Sequence, residues 1–142
     1  REAAKSGWRL VSPSNQFYNL DIKSGGSAPG RLFADTQKAL ISGTVFNDAN
    51  GNKIKDGSEI NLSGWRVYLD LNKDAKFDSG DASVVSDSGG NWQFGDLSPG
   101  TYVVRVVLQS GWSLTTPSTG SFSFSVGFGS SRIGNRIGVK RT

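Results

Sequence analysis

The chain has no cysteine, no histidine and no methionine among its 142 residues, and only 4 prolines. Without cysteine there are no disulfides, thiol nucleophiles or thiolate metal sites, and without histidine the commonest general base and zinc ligand is missing too. No apolar run reaches the about 18 residues that a membrane-crossing helix needs, so membrane insertion is not expected. No signal-peptide pattern opens the chain, which starts at Arg1 and not at Met, so a processed product or a piece of something longer is expected.

Acid is missing from one region and concentrated in another. Residues 127–142 carry Arg132, Arg136, Lys140 and Arg141 and no carboxylate, while seven of the twelve carboxylates fall within 48–59 and 70–81. The net charge of +4 therefore hides a segregated distribution. The basic residues are scattered and no recognition motif accompanies them, which excludes nucleic acid as the expected partner. Glycine is abundant, at 19 residues, as suits short strands joined by many turns.

The two acidic stretches share one pattern. The first carries Asp48, Asn50, Asn52, Asp56 and Glu59, and the second Asp70, Asn72, Asp74, Asp78 and Asp81. Counted from the leading Asp, both place side-chain oxygens at positions 1, 3, 5, 9 and 12, the ligand spacing of an EF-hand calcium loop, with the carbonyls of Ile54 and Lys76 at position 7. Ca²⁺ needs six to eight oxygens around one point, which alternate Asp and Asn on a curved loop can supply. Ordinary turns are also rich in Asp, Asn and Gly, but two windows in one phase, beginning 22 residues apart, favour the metal reading. Position 6, where the EF-hand has Gly, is Lys53 in one window and Ala75 in the other, and neither window is flanked by a helical pattern. The loops are therefore expected to turn differently from an EF-hand, with Gly51, Gly57 and Gly80 as candidates for positive φ.

Around these loops the chain reads as strands. Leu40 to Phe46 leads into the first loop. A second strand, with Trp65, Val67, Leu69 and Leu71 on one face and Arg66 and Tyr68 on the other, leads into the second loop. Ser83–Ser86 and Asn91–Phe94 flank Asp87-Ser88-Gly89-Gly90, a hairpin signal. Tyr102, Val104, Val106 and Leu108 alternate strongly, and segments at 112–114, 122–126 and 132–139 complete seven or eight strands. Period-two patterning with one polar face predicts an all-β fold of antiparallel sheets packed as a sandwich.

The chain also repeats itself. Shifted by 104 residues, Gly7, Trp8, Leu10, Pro13 and Ser14 fall on Gly111, Trp112, Leu114, Pro117 and Ser118, and Tyr18, Leu20 and Ile22 fall on Phe122, Phe124 and Val126. A complete unit is thus expected over 39–142, preceded in 1–38 by strands that match the end of a unit, as in a tandem array. A short strand is expected at Arg31–Phe33 within that first segment.

The motifs Ile41-Ser42-Gly43-Thr44-Val45-Phe46-Asn47-Asp48, Leu62-Ser63-Gly64-Trp65-Arg66-Val67, Asp87–Phe94 and Leu97-Ser98-Pro99-Gly100-Thr101-Tyr102-Val103-Val104 make the unit resemble the B-type repeats of serine-aspartate repeat surface proteins, relatives of the collagen-adhesin B domain. The resemblance implies a prealbumin-like, immunoglobulin-type sandwich, calcium in the acidic loops, and an extracellular rod at a bacterial surface whose partners are neighbouring repeats, copies of itself, or a host or surface ligand. Some relatives carry a Lys–Asn isopeptide bond with the Lys in the first strand; Leu40–Phe46 has no Lys, so none is expected here.

Three functions compete. The first is a calcium-stabilised structural repeat of a rod, adhesin or fibre, with 7–38 docking on its own unit or completing a neighbour by strand addition. The second is a carbohydrate- or protein-binding module using Trp8, Trp65, Trp92 and Trp112, although these sit in strand positions suited to packing. An enzyme is the third and is not expected, since the carboxylates are accounted for as metal ligands.

Overall fold

Alternation of apolar and polar residues drives strand formation here, because only one face of each strand can be withdrawn from water. The computed structural model describes residues 9–12, 34–36 and 38–142. Two short strands, β1 (Arg9–Ser12) and β2 (Ala34–Thr36), pair antiparallel as a two-stranded sheet. The expected strand at 31–33, Trp8, and the apolar alternation at Tyr18, Leu20 and Ile22 lie outside the described residues.

From residue 39 onward eight strands follow: β3 (Ala39–Asn47), β4 (Arg66–Leu69), β5 (Ala82–Val85), β6 (Asn91–Leu97), β7 (Gly100–Val106), β8 (Trp112–Thr116), β9 (Phe122–Val126) and β10 (Ser131–Arg141). They form two four-stranded sheets, ordered β6-β3-β10-β8 and β5-β4-β7-β9. Ile41 and Val45 of β3, Trp92 and Phe94 of β6, and Ile137 and Val139 of β10 meet Trp65, Val67, Leu69, Val104 and Val126 from the other sheet in one core. Full burial of a large apolar side chain is worth about 1.5–3 kcal/mol, so this interface is the main source of stability.

All pairings within the sandwich are antiparallel but one: β10 runs parallel to β3, with Ile137 opposite Val45 and Val139 opposite Asn47. Gly43 makes that contact possible. A Cβ there would lie 1.8 Å from the Asn135 carbonyl oxygen, where β10 bulges between Arg132 and Asn135.

Two local expectations are corrected. The Asp87–Gly90 turn is closed by backbone hydrogen bonds from Asp87 to Asn91 (2.9 Å) and from Gly90 to Asp87 (2.9 Å), as a hairpin turn would be. Yet β5 pairs with β4 and β6 with β3, so the turn carries the chain from one sheet to the other. Turn chemistry is local and does not decide whether the flanking strands stay together. Leu71 does not extend the inner face of β4; the strand ends at Leu69, and Leu71 is exposed.

The internal repeat has a counterpart in the pairing. β1 and β2 align Arg9 with Thr36, Leu10 with Asp35 and Ser12 with Ala34. β8 and β10 align Ser113 with Lys140, Leu114 with Val139 and Thr116 with Gly138. Each pair is the earlier one displaced by 104 residues, including the residue skipped in the first strand.

Candidate metal centre

Both acidic loops begin inside a sheet. The Asp48 amide donates to the Val139 carbonyl at 2.8 Å, one residue past β3, and the Asp70 amide donates to Val103 at 2.8 Å, one residue past β4. The ladder thus fixes the first residue of each loop, and both carboxylates are buried, Asp48 at 0% and Asp70 at 1% exposure.

From these anchors the loops share one hydrogen-bond plan. The position-6 amide donates to the position-1 carboxylate: Lys53 to Asp48 at 2.9 Å, Ala75 to Asp70 at 3.1 Å. The position-3 side-chain oxygen accepts the position-5 amide, Asn52 to Asn50 (2.9 Å) and Asp74 to Asn72 (3.2 Å). The position-5 oxygen accepts the position-7 amide, Ile54 to Asn52 and Lys76 to Asp74, both at 2.8 Å. Asn50 and Asn72 donate to Asp56 (2.7 Å) and Asp78 (3.0 Å), and the amides of Asp56 and Asp78 donate to the carboxylates of Glu59 (3.1 Å) and Asp81 (3.2 Å). Positions 3, 5, 9 and 12 are therefore tied into one network in each loop, and position 1 holds the position-6 amide.

The expected departure from EF-hand turning is overturned at position 6. Lys53 (φ 69°) and Ala75 (φ 64°) both adopt the left-handed conformation that Gly takes there, while Gly51 (φ 76°) does so as expected and Gly57 and Gly80 do not. For a residue with a Cβ this costs about 1–2 kcal/mol. A charge-assisted hydrogen bond from the same residue's amide to a buried carboxylate offsets it.

The electrostatics of the loops differ. Burial works to raise the Asp48 carboxyl, but the neighbouring Thr115 hydroxyl and the amides of Lys53, Gly51 and Asn52 hold it below the ordinary carboxylate value. The Thr115 hydroxyl lies beside Asp48, although Oγ1 meets no partner in full hydrogen-bond geometry among the described residues. Two buried oxygens in this loop have no hydrogen-bond donor among the described residues, Asp48 Oδ1 and Glu59 Oε1. The Lys55 ammonium reaches the carbonyls of Asp56 and Glu59, not a carboxylate. In the second loop burial again works to raise Asp70, and the Arg105 guanidinium holds it low, with Nε 2.7 Å from Oδ2. Asp70 Oδ1 accepts the Asp74 amide at 3.1 Å, so both its oxygens are engaged. Phe77 of this loop packs on Tyr68 (centroids 5.4 Å) and under Arg66, which buries Tyr68 on the outer face of β4.

Among the described residues no three acidic side chains converge closely enough to form a ready cation cage. The donor set is nonetheless chemically suited to a hard cation, being all oxygen and partly from amide groups, and the unpartnered Asp48 Oδ1 and Glu59 Oε1 are the kind of atoms such a cation would satisfy. Arg105 is the residue at the second loop that the sequence reading missed. It lies 35 residues from Asp70 on the polar side of an alternating strand, and no local signal joins the two. Trp65 and Trp92 are core residues, and Trp112 stacks edge-on against Trp65 at 5.3 Å, so none of the three offers an exposed platform for a sugar.

Two facing sheets with the first and last strands of the unit side by side define the class, an immunoglobulin-like, prealbumin-like sandwich. The fold is shared with the minor pilin GBS52 of Streptococcus agalactiae, at a TM-score of 0.51 and 14% identity over 85% of this chain and 58% of that one. More narrowly, the sequence model of the SdrD B-like domain matches residues 39–125, and the chain belongs to that family. It is 31% identical over 103 residues to serine-aspartate repeat-containing protein F of Staphylococcus epidermidis, covering 72% of this chain. With serine-aspartate repeat-containing protein D of Staphylococcus aureus (strain Newman) it shares 34% over 77 residues, 54% of this chain. The chain spans about 6% of the length of either relative. It is thus homologous to cell-surface proteins of staphylococci, within a family of non-enzymatic adhesin repeat domains.

Proposed function

We propose that the chain is a calcium-stiffened repeat of a bacterial surface rod or fibre, its acidic loops acting as cation-dependent clasps on a β-sandwich. The observation that carries this reading is the pair of buried oxygens without donors in the first loop, Asp48 Oδ1 and Glu59 Oε1. A buried oxygen left without a donor costs about 1–3 kcal/mol, and a bound Ca²⁺ would remove that cost while tying the end of β3 to the 49–59 segment. Asp48, Asn50, Asn52, Asp56 and Glu59 with the Ile54 carbonyl would hold it; Asp70, Asn72, Asp74, Asp78 and Asp81 with the Lys76 carbonyl are the matching set in the second loop. Calcium in such loops is also what the family resemblance implies.

Residues 39–142 are proposed as one complete repeat and 7–38 as the closing strands of a preceding one, which the register shared by β1–β2 and β8–β10 supports. The partners of such a module are neighbouring repeats, or further copies that complete one another by strand addition. Thermal unfolding with Ca²⁺ and with a chelator tests the clasp: a ligand that binds only the folded state raises stability with the logarithm of its free concentration. Light scattering on the same samples tests assembly. A calcium-dependent upward shift supports the clasp and its absence refutes it; a strictly monomeric mass at high concentration in calcium refutes strand addition.

A further inference from the structure

The two loops share a turn but not a counter-charge. In the second, Arg105 reaches across from β7 and places its guanidinium Nε 2.7 Å from Asp70 Oδ2, at a carboxylate with 0% side-chain exposure. In the first, no arginine or lysine of the described residues pairs with the equivalent Asp48. Lys140 approaches only the turn, its Nζ 3.2 Å from where a Cβ on Gly51 would stand. We propose that Arg105 is the resident cation of the second loop, so that calcium fills the loops in order: the first at low concentration, the second only by competing with Arg105 for Asp70.

The reasoning is electrostatic and rests on the calcium reading of these loops. Asp70 is the first residue of its window and is pinned by the sheet, and both its oxygens are engaged, Oδ2 by Arg105 and the Ala75 amide and Oδ1 by the Asp74 amide, so a metal must share an oxygen with these donors or displace one. A guanidinium and Ca²⁺ on one buried carboxylate repel each other in a setting where charges are poorly screened. Mutual exclusion of this kind is a negative coupling, and couplings between ligands typically amount to about 5–150-fold in affinity. Loop 2 would then be shaped without metal and weakly responsive to it, while loop 1 would be the calcium-dependent end of the module.

The test is a CaCl₂ titration of the whole chain followed by amide NMR, with Lys53 reporting the first loop and Ala75 the second, since each amide donates to its loop's leading carboxylate. In the wild type Lys53 should move first and Ala75 only at higher calcium. Arg105→Gln should bring the Ala75 midpoint down by roughly ten- to a hundredfold and leave the Lys53 midpoint in place. Arg105→Lys, which keeps the charge, should leave Ala75 late and guards against a loss of fold being read as an effect. If Ala75 moves with or before Lys53 in the wild type, or Arg105→Gln does not advance it, the inference is overturned. A Lys53 signal that never moves refutes calcium in the first loop instead; Ala75 in Arg105→Gln still decides the role of Arg105.

Discussion

The two acidic loops have the same spacing and the same hydrogen-bond plan, yet they solve the burial of their leading carboxylate differently. Loop 2 brings four carboxylates and answers Asp70 with Arg105 from the neighbouring strand. It is further held by Phe77 packed against Tyr68 and by the Leu71 amide on Asp81 at 3.0 Å. Loop 1 has three carboxylates, leaves Asp48 Oδ1 and Glu59 Oε1 without donors, and uses Lys55 on backbone carbonyls. A loop's turn and its demand for a cation are therefore separable properties. The turn follows from position-1, position-3 and position-5 oxygens catching amides two to five residues on, whereas the demand depends on what a distant strand brings to position 1.

The largest way to break the contrast is to remove Arg105. Arg105→Ala strands a buried carboxylate, and breaking such a pair costs about 3–5 kcal/mol; since Arg105 is 23% exposed, the lower end is expected. Denaturant unfolding in chelator should show this loss. The corresponding change in loop 1, Asp48→Asn, should cost little in chelator, because the amide oxygen still accepts from Lys53. In calcium at about a hundred times the dissociation constant it should forfeit about 2.7 kcal/mol of ligand stabilisation. Equal losses with and without calcium for Asp48→Asn would erase the distinction.

Acid titration sharpens the same comparison. Asp48 and Asp70 are both held below the ordinary carboxylate value in the folded state, against the pull of burial. A depressed carboxyl contributes stability that is complete above its unfolded pKa and is lost as pH falls through the folded one. In chelator, stability should therefore decline below about pH 4. Calcium should push the onset lower in the wild type, since protons and metal compete for loop 1, and should do so much less in Asp48→Asn. Melting temperatures between about pH 5 and pH 2, with and without calcium, check the shift.

Much of this was legible in the sequence because it rests on short-range regularities. Period two in Ile41–Val45 and Tyr102–Val106 marks strands, and the repeated Asp/Asn spacing marks the loops. What escaped was long-range. Arg105 meets Asp70 only because β4 and β7 are neighbours, with Tyr68 opposite Arg105 and Leu69 opposite Val104. Asp87–Gly90 looks like a hairpin turn because its chemistry is that of one, and the divergence of β5 and β6 is decided by the packing of two sheets. Position 6 misled for a different reason: the lack of Gly at Lys53 and Ala75 argues against a left-handed turn on propensity, but a buried carboxylate waiting for that amide over-determines the conformation.

That last point yields the smallest and most diagnostic change. Lys53 and Ala75 hold φ of 69° and 64° at the same place in their loops, and each should be strained by about 1–2 kcal/mol through its Cβ. Glycine relieves the strain but adds about 0.4–1 kcal/mol of backbone entropy to the unfolded chain. Lys53→Gly and Ala75→Gly should therefore each stabilise the protein by about 0.5–1 kcal/mol, measured in chelator. The gains should match, because the backbone is the same in both loops, even though every change of charge is expected to affect the two loops unequally. A gain in one loop and a loss in the other would mean that the shared hydrogen bonds do not impose a shared turn, and the separation of turn from cation demand would fail with it.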